Sequence, residues 1–171
     1  MTDLGALLEQ VRSWLVGLSV PVQALGVVGI TAVPGVELRG SVPLAVALGW
    51  HPLAAGILGT LANCLIIAPS YYALELFYDR WLSRIALLRR LVEGVRARGA
   101  SLVERYELLG LTLFVAVPLP GTGAYSGVTL AWLLGLRRWP AMAAVALGVV
   151  VAGVMVTLAA GGAAVAIRRW F

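Results

Sequence analysis

The chain of 171 residues is 61% hydrophobic and only 12% charged, with a mean hydropathy of +0.94. This composition excludes a soluble globular domain and places the chain among membrane proteins. The formal net charge of +5 comes from 13 arginines against eight acids. Since the arginines flank apolar segments, lipid headgroups and membrane topology explain them better than nucleic acid does.

The chain begins with apolar residues at helical spacing between Thr2 and Leu18. Because Asp3, Glu9 and Arg12 lie on the opposite side, the pattern predicts an amphipathic helix at the membrane interface. This segment lacks the basic start of a secretory signal, so we expect it to belong to the mature protein.

A short apolar segment, Val22–Val33, follows and is interrupted by Pro and Gly. Its 12 residues span about 18 Å as a helix, less than the hydrocarbon core of about 30 Å. Backbone groups freed by Pro and Gly cannot face lipid. We therefore predict a re-entrant helical hairpin that returns over Ser41–Leu48, with a single kinked span as the alternative. The residues assigned to its turn are Pro34, Gly35, Gly40 and Pro43.

The second half of the chain repeats this pattern. Leu108–Val117 is again too short to cross a membrane, a segment rich in Pro and Gly interrupts it, and Tyr125–Leu134 returns. The residues assigned to this second turn are Pro118, Pro120, Gly121 and Gly123. Pro34 and Pro118 both follow Ala-Val and lie 84 positions apart, which indicates one unit used twice.

Two uncharged segments, Pro52–Leu74 and Pro140–Ile167, are long enough to cross the membrane. Each carries small or polar residues four positions apart, a pattern that lets helices approach closely. We expect these rows to serve helix packing or a homodimer. Their members are Ala55, Gly59 and Asn63 in the first segment and Ala144, Gly148 and Ala152 in the second.

Each unit therefore reads as an amphipathic helix, a re-entrant hairpin and one crossing helix. We predict an all-α integral membrane protein with one domain, residues 1–171, in which repeat 1 covers about 2–79 and repeat 2 about 80–171. A single crossing per unit inverts the second copy relative to the first. Inverted repeats with broken helices are typical of secondary transporters, where they form the substrate site near the midplane.

The charged region 79–107 is predicted to be an interfacial helix and a short connector. Nine arginines lie in this connector and at the exit of the second hairpin, against three on the other side. This bias predicts that the connector, residues 80–105, is cytoplasmic and that the protein is a multi-pass protein of the inner (plasma) membrane.

Glu37 and Arg39 are ionisable residues within otherwise apolar sequence, where such residues usually face a cavity or one another. We interpret them as the site for a substrate or a proton, with a structural ion pair as the alternative. The hydroxyls of Thr122 and Tyr125 would bind a polar group or close their own turn. Asn63 is interpreted as a hydrogen-bonding residue between helices, with a ligand role as the alternative.

Enzyme and metal motifs are absent from the sequence: it contains no nucleophile elbow, P-loop, His/Cys cluster or paired carboxylates, and one cysteine, Cys64. We therefore expect no enzyme activity, no metal and no cofactor.

Two motifs carry a family resemblance. Residues 37–44 read Glu-Leu-Arg-Gly-Ser-Val-Pro-Leu, and residues 118–127 read Pro-Leu-Pro-Gly-Thr-Gly-Ala-Tyr-Ser-Gly. They resemble the E-L-R-G-A-I-P-L and P-L-P-G-T-G-A-W-x-G motifs of the small multidrug export family of prokaryotic membrane proteins. Ser41 and Tyr125 depart from these motifs, and the charged connector ending at residues 103–106 is also similar.

That family is in turn similar to the DedA, or VTT-domain, membrane proteins. These have paired re-entrant hairpins and are implicated in the movement of lipids, including polyprenyl-phosphate carriers. The resemblance implies a site role for Glu37 and Arg39. DedA proteins typically carry a further Arg in the second hairpin, which is uncharged in this chain.

Three functions are open at this point. The first is an exporter whose facing hairpins give alternating access to a midplane site, with proton coupling through Glu37. The second is a lipid flippase or scramblase for polyprenyl-phosphate-type lipids, with Arg39 on the phosphate. The third is a membrane scaffold without transport. The expected partners are membrane lipids, a small-molecule or lipid substrate, and protons, with no nucleic acid.

Overall fold

The computed structural model describes residues 10, 13, 15–81, 84, 90, 92–93, 104–119 and 121–170. These ranges contain six helices and no strand, as the all-α prediction requires. The helices are α1 (Val20–Thr31), α2 (Glu37–Ala47), α3 (Pro52–Arg80), α4 (Glu104–Ala116), α5 (Ala124–Leu133) and α6 (Arg138–Trp170). Most of the two predicted amphipathic segments, Thr2–Leu18 and 79–107, lies outside the described residues.

Two of the helices, α3 with 29 residues and α6 with 33, are much longer than the rest. Their apolar stretches, Pro52–Tyr78 and Arg138–Ala166, are long enough to cross a membrane. The prediction of two long apolar helices is therefore confirmed, and α3 continues six residues beyond its predicted end at Leu74.

The first pair of short helices, α1 and α2, pack against each other and are joined by residues 32–36. The backbone at Gly35 adopts φ +85°, a conformation that a side chain would strain. The return helix begins at Glu37 rather than at Ser41, so Gly40 and Pro43 lie inside α2 and not in the turn.

Helical packing explains this difference from the predicted turn. The buried side chains of α2 recur at helical spacing: Glu37, Leu38, Ser41, Val42 and Ala45. Intrinsic propensity is a weak prior that such packing overrides. Gly40 is also needed where it lies, because a Cβ there would overlap the Val36 side chain.

The second pair of short helices, α4 and α5, also pack against each other. Their connection, residues 117–123, contains Pro118, Gly121 and Gly123 as predicted, while Pro120 lies outside the described residues. Gly121 has φ +86°, close to the value at Gly35 in the first connection.

The chain divides into two compact units, Met1–Ala62 with Gly153–Phe171 and Asn63–Ala152, so α3 and α6 each contribute to both. In the first unit the hairpin packs on α3 at Gly59, where an added Cβ would lie 2.7 Å from a methyl of Val42. In the same unit α3 and α6 meet at two Gly–Thr contacts, Gly56 with Thr157 and Gly153 with Thr60.

In the second unit the hairpin packs on α6 around Gly148. An added Cβ at Gly148 would lie 2.7 Å from the carbonyl oxygen of Thr112 and 2.7 Å from the Cβ of Val115. The Thr112 hydroxyl lies 2.9 Å from the carbonyl oxygen of Leu108 and 3.1 Å from that of Ala144, so it is within hydrogen-bonding distance of both.

All six members of the predicted small-residue rows are buried in the chain. The rows therefore serve packing within the protein. The homodimer stays a prediction, and it would need another surface.

We expect Gly148→Ala to lower the free energy of unfolding by about 1–3 kcal/mol, because the new methyl would press on a backbone carbonyl that cannot rotate away. Gly26→Ala in α1 is the matched control, since no atom lies within 4 Å of its added Cβ. Thermal unfolding in detergent, followed by fluorescence-detected size exclusion, measures both variants. An unchanged melting temperature for Gly148→Ala would contradict the close packing of α4 on α6.

Candidate functional site

Glu37 is the first residue of α2 and is only 2% exposed. Its φ of +49° is the one positive φ at a non-glycine residue in the described part of the chain. A left-handed conformation at such a residue costs roughly 1–3 kcal/mol, and it persists where the surrounding structure imposes it. Here the Glu37 amide donates to the Val33 carbonyl oxygen at 3.2 Å, which closes the turn at the start of the helix.

Arg39 forms an ion pair with Glu37, with 4.0 Å between Nη1 and Oε2. The Arg39 side chain is 14% exposed and that of Glu37 is 3% exposed. A buried carboxylate is costly unless a cation and hydrogen bonds compensate for the lost water. The structure therefore brings together the two ionisable residues that the sequence singled out, at the long end of ion-pair distances.

Two hydroxyls that the sequence did not single out, those of Thr31 and Ser41, lie buried in the same pair of helices as Glu37. Both are fully buried, and their oxygens lie 2.6 Å apart. Thr31 Oγ1 also lies 2.8 Å from the carbonyl oxygen of Val27. Since a hydroxyl has one proton, Thr31 donates to Val27 when it accepts from Ser41. Ser41 follows Glu37 by four residues, which is about one helical turn. This spacing is the feature of the sequence that could have pointed to Ser41.

The first unit thus holds a buried carboxylate with a nearby guanidinium and, in the same pair of helices, two buried hydroxyls that are hydrogen-bonded to each other. A carboxylate can take up and release a proton, and a guanidinium stays charged. No group of three or more metal-ligating side chains occurs among the residues that the structure describes.

The other predicted site residues, Thr122, Tyr125 and Asn63, lie in the second unit. The Thr122 hydroxyl is within hydrogen-bonding distance of the carbonyl oxygens of Val117 (2.6 Å) and Leu119 (2.9 Å), so it closes its own connection. Tyr125 is half-buried in the first turn of α5, and Asn63 is 1% exposed in α3.

Another ion pair was also missed, because its members lie 63 residues apart. Arg138 Nη2 donates to both carboxylate oxygens of Glu75, at 2.7 and 2.8 Å. The same guanidinium lies 5.0 Å from the ring centre of Tyr72 and 5.7 Å from that of Tyr71. These contacts join the end of α3 to the start of α6 within the second unit, whereas the sequence predicted for Arg138 only a role in membrane topology.

We expect Thr31→Val and Ser41→Ala each to lower the free energy of unfolding by about 1 kcal/mol, because each removes one member of a buried hydrogen bond. The double variant should cost less than the sum of the two, since it leaves neither hydroxyl unsatisfied. Thermal unfolding of the four proteins in one detergent gives the coupling. Strict additivity would mean that the two hydroxyls do not depend on each other.

One family model matches this chain over residues 37–155, and its description is "Putative small multi-drug export protein". The match begins at Glu37 and continues into α6. No curated protein and no solved structure matches the chain.

Proposed function

The chain belongs to the family of small multi-drug export proteins, and we propose that it exports small molecules across the membrane in exchange for protons that bind at Glu37. The supporting observation is the conformation of Glu37, which is 2% exposed and has a left-handed backbone. Ionisable residues inside membrane proteins are costly and mark substrate or proton paths. Backbone strain also clusters at functional sites.

The short helices support a re-entrant arrangement. Helices α1, α2, α4 and α5 have 12, 11, 13 and 10 residues, so each spans about 15–20 Å and falls short of the core of about 30 Å. In the proposed mechanism each pair enters and leaves the membrane on one side, and the chain is an inverted repeat of one unit used twice. Broken helices of this kind line the substrate site of secondary transporters.

The location and orientation follow from the arginines. We place the protein in the inner membrane with the connector, residues 80–105, in the cytoplasm, because most arginines lie in or near it. Thr122, Tyr125 and Asn63 are proposed to bind polar groups of the substrate. No enzymatic step is part of this proposal.

Glu37→Gln should abolish proton-linked transport while the protein remains folded, because the amide keeps the shape of the side chain but cannot exchange a proton. The measurement is the fluorescence of a pH-sensitive dye inside proteoliposomes, with cationic drugs and then polyprenyl phosphates as substrates. Glu93→Gln is the matched control, since Glu93 is exposed on the connector.

The outcomes separate the alternative functions. Absence of flux from well-folded wild-type protein with every substrate would overturn the exporter. Movement of polyprenyl phosphates that survives Glu37→Gln and is lost in Arg39→Ala would indicate a lipid flippase. Misfolding of Glu37→Gln, with no wild-type flux, would indicate a scaffold.

Glu37→Gly separates the functional role of this residue from a structural one. Glycine adopts a positive φ without strain. The free energy of unfolding of the variant should therefore stay unchanged or rise by up to about 1 kcal/mol, while proton-linked flux is lost. Melting temperature and flux are measured on the same preparation. A large loss of stability would show that the Glu37–Arg39 ion pair holds the fold together.

A further inference from the structure

A cavity of about 230 Å³ lies beside the carboxyl end of α3, and the described residues that line it are Arg80, Trp81 and Arg84. A single water needs only about 10–15 Å³, so the cavity has room for a polyatomic group. All three lining residues are exposed, Trp81 by 67% of its surface, so a ligand can reach the cavity from outside.

Two of the described residues that line this cavity carry a guanidinium, and this favours an anion as the ligand. Two guanidinium groups contribute two full positive charges, whereas the end of a helix contributes only about half a negative charge. The planar fork of a guanidinium matches two oxygens of a phosphate, and such charge-assisted pairs are short and strong. A phosphate ester is therefore the ligand class that this lining fits best.

The position of the cavity relative to the hydrocarbon core indicates the source of the phosphate. The apolar stretch of α3 ends at Tyr78, and Arg80 follows two residues later, so the cavity begins where the hydrocarbon core would give way to headgroups. An exposed Trp at this level is typical of a membrane interface. A free anion would need only the two arginines, whereas a lipid also uses the indole for its glycerol and upper acyl region.

We propose that Arg80, Trp81 and Arg84 bind the phosphate headgroup of an anionic phospholipid at the end of α3. This site shares no residue with the one that contains Glu37: Arg80, Trp81 and Arg84 belong to the unit Asn63–Ala152, and Glu37 belongs to the other unit. Lipid binding and proton-linked export can therefore fail independently of each other.

The test is a titration of the purified protein in detergent with short-chain phosphatidylglycerol and phosphatidylcholine, with bound lipid counted by native mass spectrometry. We expect phosphatidylglycerol to bind more tightly. The double variant Arg80→Gln/Arg84→Gln should weaken its binding by about thirtyfold, or about fivefold for each arginine near the headgroup. The double variant Arg90→Gln/Arg169→Gln removes the same charge from two exposed arginines that do not line the cavity, and should stay within about twofold of wild type.

Three further measurements make the proposal falsifiable. Trp81→Ala should weaken binding of both lipids, which separates the indole from the charges. If both double variants weakened phosphatidylglycerol binding equally, binding would depend on general surface charge and not on this site, and the proposal would be overturned. Displacement of the lipid by inorganic phosphate at equal concentration would assign the cavity to a soluble anion instead. Size exclusion of each variant confirms that the changes report binding and not unfolding.

Discussion

The pairing of backbone hydrogen bonds is the constraint on which the rest of this structure depends. A chain with mean hydropathy +0.94 cannot leave amides and carbonyls facing lipid, so most of its described backbone is helical. The two connections inside the hairpins are closed locally, by the Val36 amide donating to the Val33 carbonyl oxygen and by the Thr122 hydroxyl. The candidate site lies at the first of these two connections, because a charged residue, Glu37, directly follows it, whereas Ala124 follows the second.

Small residues then fix where each hairpin lies against a long helix. In a membrane no hydrophobic force drives helices together, so close van der Waals contact and hydrogen bonds must hold them. Because Gly59 has no side chain, Val42 of the first helix pair packs closely against α3. In the same way, Val115 and the backbone of Thr112 pack closely against α6 at Gly148. These two glycines lie 89 positions apart, but Gly59 contacts the second helix of its pair and Gly148 contacts the first, so the two contacts are not copies of each other.

The sequence was informative where a pattern is local. Hydropathy and the positions of Pro and Gly predicted both breaks and both long helices, since lipid leaves few alternatives for the backbone. The sequence wrongly assigned Gly40 and Pro43 to the turn, because helix propensity cannot reveal that α2 buries one continuous face. It also missed the partners of Thr31 and Glu75, which lie 10 and 63 residues away, because contacts at such separation depend on how the helices pack. Glu37 was found because a charge in an apolar segment is itself a signal, but its strained backbone has no signature in the sequence.

Under the proposed function, the residue that takes up a proton is the one with the strained backbone and the 4.0 Å ion pair, Glu37. An ionised Glu37 attracts Arg39 two residues further along the same turn, and this attraction helps to hold the left-handed backbone in place. Under the proposed function, a proton on Glu37 removes that attraction and leaves the strain uncompensated. The first turn of α2 would then be free to relax, and this turn is joined directly to the connection of the hairpin. Proton uptake would in this way change the conformation at the tip of the hairpin, where a transporter of this design requires the change.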